Sequence, residues 1–212
     1  VDGSYRWQTY TNYTQGYAKM RLEGIAEEAW ATGIKAIVYN CPEIRTNSSD
    51  VFTGIELPLI PLLLALKKEN GGQWADEQWQ ACQQLLADGL TMKDVFQKIT
   101  DMQASEVMRP FYDFSAWPMA NSQAQADLTI GTSNEITQMH RDSKLMISDL
   151  LSGLVVKATG QLIFGESSEP AGPVLWLNHD IVARRLNASH PHSKSPAPLI
   201  AQGMESSHLE MA

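Results

Sequence analysis

Tyr39 and Lys67 are the two side chains in this sequence whose types and spacing suggest covalent chemistry. Tyr39 ends the apolar run Ala36-Ile37-Val38, and the polar loop Asn40-Cys41-Pro42-Glu43-Ile44-Arg45-Thr46 follows it. Lys67 closes a second apolar run, Leu62 to Leu66. A phenol and an amine at the ends of adjacent strands are the parts needed for Schiff-base chemistry on a keto substrate. The amine attacks a ketone when burial or neighbouring groups keep it neutral, and the phenol moves the proton as carbinolamine becomes imine. Such a reaction asks for no cofactor and no metal, and the five histidines offer no ligand cluster.

These side chains depend on the elements that hold them. Apolar residues Met20, Leu22, Ile25, Ala26, Ala29 and Trp30 predict a helix from Tyr17 to Ala31, which Thr32-Gly33 breaks. Ile34 to Tyr39, with β-branched residues at 34, 37 and 38, then reads as a buried strand, and helix–glycine–strand–loop is the grammar of an α/β unit. A second parse stays open. Leu22, Ala26, Ala29, Gly33, Ile37 and Cys41 share one helical face, and Pro42 would end that longer helix. Leu62 to Lys67 is a second strand or part of a short helix, closed by Asn70-Gly71-Gly72.

Further on, residues 75–88 predict a helix, and Thr91 with Asp94 predicts a capping box opening another that ends before Pro110. Residues 111–126 read as a linker and Leu128-Thr129-Ile130 as a third strand. Ile136, Met139, Ser143, Met146, Leu150 and Leu154 predict a long amphipathic helix over 133–160. Gly165 to Gly172 reads as a loop and Val174 to Leu186 as a last helix. The expected organisation is one domain over 1–188 and a flexible polar tail over 189–212.

Composition narrows the function classes. The 212 residues are 43% hydrophobic, enough for a sizeable core, and carry a net charge of -8. That acidity argues against nucleic acid as a partner. Leu57 to Leu66, interrupted by Pro58 and Pro61, is too short to span a bilayer, so no membrane partner is expected. Two cysteines without a spacing pattern and no signal peptide point to a reducing, cytoplasmic location. A start at Val-Asp-Gly suggests a processed or truncated chain.

Tyr39-Asn40-Cys41-Pro42 with Arg45-Thr46, followed by Lys67 and Gly71, resembles the pyruvate-dependent class I aldolases typified by dihydrodipicolinate synthase and N-acetylneuraminate lyase. One extra residue stands between Pro42 and Arg45 relative to that family. Weaker matches run in the same order: Thr14-Gln15-Gly16, Ile25-Ala26-Glu27, Ile130-Gly131-Thr132-Ser133-Asn134, and Phe164 to Val174. The family's threonine pair in the first half of the barrel has no counterpart here.

The resemblance implies a lyase built on the back half of a (β/α)8 TIM barrel, acting on a small 2-oxo acid such as pyruvate. It implies an imine at Lys67 and a proton relay at Tyr39. It places Arg45 and Thr46 at the substrate, with the guanidinium on a carboxylate, and Ile130 at the substrate wall. Half a barrel leaves sheet edges uncovered, so a homo-oligomer or a completing partner chain is implied. The alternative is a mostly α-helical bundle serving as a non-enzymatic interaction or assembly subunit, docking through the helix at 133–160.

Overall fold

The computed structural model describes residues 14–42, 44–46, 56–109 and 122–190. Among these are seven α-helices and a two-stranded parallel sheet. They are α1 (Thr14–Ala31), α2 (Ile60–Lys68), α3 (Gly72–Gln83), α4 (Met92–Ala104), α5 (Gln123–Gln138), α6 (Asp149–Ser168) and α7 (His179–Ser189). The strands are β1 (Val38–Asn40) and β2 (Val174–Trp176), paired Val38 to Val174 and Asn40 to Trp176. The chain is helix-rich, as the alternative reading held, and the described residues form no barrel.

α2 is the hub because its apolar residues are buried all round except along the exposed strip of Leu64, Lys67 and Lys68. Ile60, Leu62, Leu63, Ala65 and Leu66 are all at or below 1% exposure, the behaviour of a helix whose wide apolar face sits in a core. Pro58 and Pro61 sit in opening turns, where a missing N–H costs nothing. Val182, Ala183 and Leu186 of α7, Ala75 and Cys82 of α3, and Leu151, Val155 and Ala158 of α6 complete the main core. The Asn187 side-chain amide donates to the Leu66 and Glu69 carbonyls at 3.0 and 2.9 Å. That pins α7 to the open carboxyl end of α2.

Several sequence expectations change. Leu62–Lys67, left open between strand and short helix, is helix, so Lys67 does not end a strand beside Tyr39. Leu128-Thr129-Ile130 lies inside α5, which Ser122 opens through a capping box with Gln125. Ser122→Ala is expected to lower stability by about 1 kcal/mol in urea titrations, while Gln123→Ala at the next position stays near wild type. The long helix over 133–160 is two helices, because α5 stops at Gln138 and α6 starts only at Asp149. Met146 and Ile147 bury themselves from the connection between them. Residues 165–168 continue α6, and Val174–Trp176 is strand rather than the start of the last helix. The Thr91–Asp94 capping box is present. Residues 111–121 of the expected linker and 191–212 of the expected tail lie outside the described residues, whereas His190 stacks on Trp74 with ring centroids 4.4 Å apart.

The path from α1 to β1 follows the strand parse in part: the strand is Val38–Asn40, and residues 34–37 lead into it without pairing as strand. α1 ends at Ala31, Gly33 takes φ 87°, and the chain reverses into β1. A positive φ at this point suits glycine, which has no Cβ to clash. Glu23 then accepts from Asn40 at 2.6 Å, while Trp30, a later helix residue, donates to Ala36, an earlier one on the way into the strand. The helix therefore runs antiparallel to β1 and lies along one face of the sheet.

Candidate functional site

The five residues expected at the site are scattered. Lys67 stands on α2, its Nζ 2.9 Å from Asp76 and 4.6 Å above the Trp79 ring. That is a cation held by a carboxylate and an aromatic face, not an amine aimed at a ketone. Tyr39 lies on β1 with its hydroxyl 3.5 Å from Ser167. Arg45 pairs with Asp149 and lies 3.6 Å from Glu56. Thr46 follows it, exposed, and Ile130 is 48% exposed on α5. The structure brings together only the sequence neighbours Arg45 and Thr46.

Tyr39 does line a cavity of about 160 Å³, with Ile37, Glu166, Pro170, Gly172 and Leu175. This cavity is smaller than the several hundred Å³ usual for a ligand site. It also sits at the amino ends of the strands, since Ile37 and Gly172 precede β1 and β2. Open α/β sheets bind ligands at the opposite end. Lys67 is not among its lining residues.

The carboxyl ends of β1 and β2 make a different site. Because α1 runs antiparallel to β1, its early residues reach past Asn40. Lys19, half-buried, lies one turn before Glu23 on the same helical face. Met20 packs with Trp176, at the end of β2, in a small cluster with Met108, Met102 and Leu128. Asn40 and Glu23 are each only 6% exposed, so their hydrogen bond satisfies two polar groups that water hardly reaches. Leu177 donates to the Asn40 carbonyl at 2.9 Å and holds the two strand ends level. The crest thus combines a fixed polar pair, a half-buried cation and an apolar floor.

Sequence reasoning passed over this crest because it read α1 only for its apolar residues. A signal was available: Lys19 and Glu23, four apart, fall on the face shared by Ala26 and Trp30. A charged pair on a buried helix face asks for a reason.

Other titratable groups are structural. Glu56, 1% exposed, accepts from the Ile147 N–H at 3.2 Å, and burial pushes its carboxyl up despite Arg45 nearby. Burial pushes the Cys82 thiol up to about 11, too high for a thiolate nucleophile at neutral pH. Among the described residues no three His, Cys, Asp or Glu side chains are placed to hold a metal ion. Nor is any described helix long and apolar enough to cross a membrane.

Residues 1–186 match the family described as Enoyl-acyl carrier protein reductase FabMG. Two solved structures are similar to the chain. One, the apo structure of FabMG, described as a novel type of enoyl-acyl carrier protein reductase, is 62% identical with a TM-score of 0.73, over 85% of this chain and 41% of that one. The other, the NADH-bound structure of FabMG, is 57% identical with a TM-score of 0.64, over 85% of this chain and 44% of that one. The chain thus spans less than half the length of either solved protein. No curated protein matches it. These findings overturn the aldolase resemblance, and with it the lyase, the imine at Lys67 and the small 2-oxo acid. They give no support to a non-enzymatic assembly subunit either. Tyr39-Asn40-Cys41-Pro42 is a strand end with its own structural reasons, and the chain belongs to the FabMG family of enoyl-acyl carrier protein reductases.

Proposed function

We propose that this chain supplies the acid and oxyanion-holding side of a site that reduces the carbon–carbon double bond of an enoyl thioester on an acyl carrier protein. The observation that supports the reading is the antiparallel run of α1 over β1, in which Glu23 meets Asn40 at the end of β1 and Lys19 lies one helical turn further along. Reduction adds a hydride to the β-carbon and a proton to the α-carbon, and negative charge passes through the thioester oxygen. A positioned cation near that oxygen lowers the barrier. Lys19 is that cation. The proton comes from a phenol, and Tyr5, Tyr10 and Tyr13 stand in the sequence that leads directly into α1.

NADH is bound in one solved relative, and the fit of this chain to a dinucleotide is poor. A pyrophosphate wants a glycine-rich turn between a strand and a helix N-terminus. Here β1 runs into Cys41-Pro42 and β2 into Leu177-Asn178. The start of α7 is closed as well, with Asn178 and His179 at 5 and 6% exposure. No step assigned to this chain runs through the cofactor. Two thiols unpaired in the structure, Cys41 and Cys82, favour the reducing, cytoplasmic setting of this reading.

The test is a chimera in which this chain replaces the matched part of the NADH-bound relative. It should consume NADH with crotonyl-acyl carrier protein. Lys19→Gln should lower kcat about tenfold with KM for NADH unchanged, and Phe at one of positions 5, 10 or 13 should lower it further. A chimera active with Lys19→Gln at the full rate would overturn the assignment, as would no turnover of the enoyl thioester.

A further inference from the structure

α7 turns its apolar face to the core and its cations to water. Val182, Ala183 and Leu186 are buried, which leaves Arg184, Arg185, Ala188 and Ser189 along the exposed side. Arg185 lays its guanidinium on a neutral acceptor, the Gln161 side-chain oxygen of α6, at 3.0 Å. Lys157, also exposed, stands one turn before Gln161 on the same face, with Cβ atoms about 6 Å apart. On the other flank Arg184 meets Glu69 at 3.3 Å and Asp180 at 2.8 Å. Lys68 is the chain neighbour of Glu69, and Leu64, one turn before it, is 45% exposed.

Lys68, Arg184, Arg185 and Lys157 thus form one band across α2, α7 and α6. Glu69 and Asp180 both serve Arg184, and among the described residues no carboxylate pairs with Lys68, Arg185 or Lys157. By contrast Arg45, Lys67, Lys98, Arg109 and Arg141 each meet a carboxylate. In a chain of net charge -8, positive charge left uncompensated on three adjoining helices runs against the composition. A partner of opposite sign removes the repulsion within the band as it docks, and the band steers it there. The band also begins near the candidate site. α7 follows β2 directly through Leu177 and Asn178, so Arg184 stands about 9 Å along the helix from that turn.

We infer that the band Lys68–Arg184–Arg185–Lys157 docks the acyl carrier protein that brings the enoyl thioester, with Leu64 as an apolar contact at its margin. A carrier protein is a small acidic partner whose acyl group travels on a flexible arm, so it binds beside the reaction centre and not in it. Glu69 and Asp180 within the band disfavour a nucleic acid or a bilayer, whose dense phosphates would meet both carboxylates. A folded acidic surface places its carboxylates only opposite the cations. The net negative charge of the chain is screened beyond about 8 Å at physiological salt, so the local band decides the contact. This inference rests on the thioester being protein-borne, as proposed above, and not on the role given to Lys19.

Titrating the 212-residue chain into holo-acyl carrier protein, with the carrier's amide NMR shifts as the signal, reads docking without catalysis. Lys157→Glu with Arg185→Glu should weaken binding about tenfold, and added salt should weaken wild type. Lys93→Glu with Lys144→Glu changes the net charge equally at exposed positions elsewhere and should leave binding within about twofold. In the chimera, the band variant should raise KM for crotonyl-acyl carrier protein about tenfold, with kcat and the KM for crotonyl-pantetheine unchanged. Equal weakening by the two double variants would overturn the inference, as would a carrier protein that does not bind wild type. So would a band variant that loses binding to anionic vesicles and keeps the carrier protein. Carrier binding that needs the band, in a chimera that reduces no enoyl thioester, would sink the catalytic reading and leave this docking surface standing.

Discussion

Lowering the pH from 7 to 4 should cost this protein about 3 kcal/mol through His179 alone. The imidazole is 6% exposed at the start of α7, and burial drives its pKa from 6.5 down to about 4. The neighbouring Asp180 charge and the Pro58 backbone act in the other direction and do not win. Above pH 6.5 the ring is neutral in both folded and unfolded chains, and its contribution to stability is complete. Below 6.5 the unfolded chain takes up a proton that the folded one refuses, so stability falls until the folded ring titrates near pH 4. His140 is shifted the same way, also by burial. Glu56 opposes them, because its raised pKa gives stability that is fully present below 4.5 and lost as pH rises through the folded value. Urea titrations across this window should give a clear loss for wild type and a flatter profile for His179→Asn. Identical slopes for the two would remove His179 as the cause.

A methyl group at position 71 should be nearly as costly. Gly71 has an ordinary φ of -68°, so no left-handed backbone demands glycine there. Space does. A Cβ would meet the Ala75 methyl, come to 2.5 Å from the Leu66 carbonyl oxygen and to 2.9 Å from the Asn187 side-chain oxygen. These atoms are the joint between α2, α3 and α7, where Asn187 already holds the end of α2. A backbone oxygen cannot swing aside, so the helices must separate. Gly71→Ala is expected to lose about 3 kcal/mol by overpacking. Gly153→Ala in α6, where a Cβ meets nothing within 4 Å, should instead gain up to about 1 kcal/mol from helix propensity. A Gly71→Ala protein as stable as wild type would show that this joint is loose.

Where the local chemistry had one solution, it was legible from the residues. Gly33 broke α1, and Thr91 with Asp94 opened α4. Where two periods fit equally, it was not. Leu62 to Leu66 is apolar without interruption, so a largely buried helix and a buried strand look alike. Met139 and Met146 kept helical spacing across 133–160 although the exposed run Arg141 to Lys144 separates two helices. Val174–Trp176 was hidden because three residues cannot display an alternation, and the apolar residues of α7 follow at once.

The site was harder to read for a related reason. The Tyr-Asn-x-Pro order drew attention to Tyr39, yet the structural weight falls on Asn40, whose amide meets Glu23. The spacing of Lys19 and Glu23 marks a charged pair on an apolar helix face, but its place at the strand ends follows only once α1 is known to run back over the strand, and no local pattern encodes that reversal. Its meaning lies in a pairing between residues 17 positions apart.

The shelter of α2 by α7 has a consequence during synthesis. A ribosome adds roughly 5–20 residues per second, so about 6 to 22 seconds separate the release of Lys68 from the arrival of His179. Through that interval this apolar helix is without the α7 surface that covers it in the finished fold. Newly made chains should therefore be clients of a holding chaperone, and slow decoding between codons 69 and 178 should favour their aggregation.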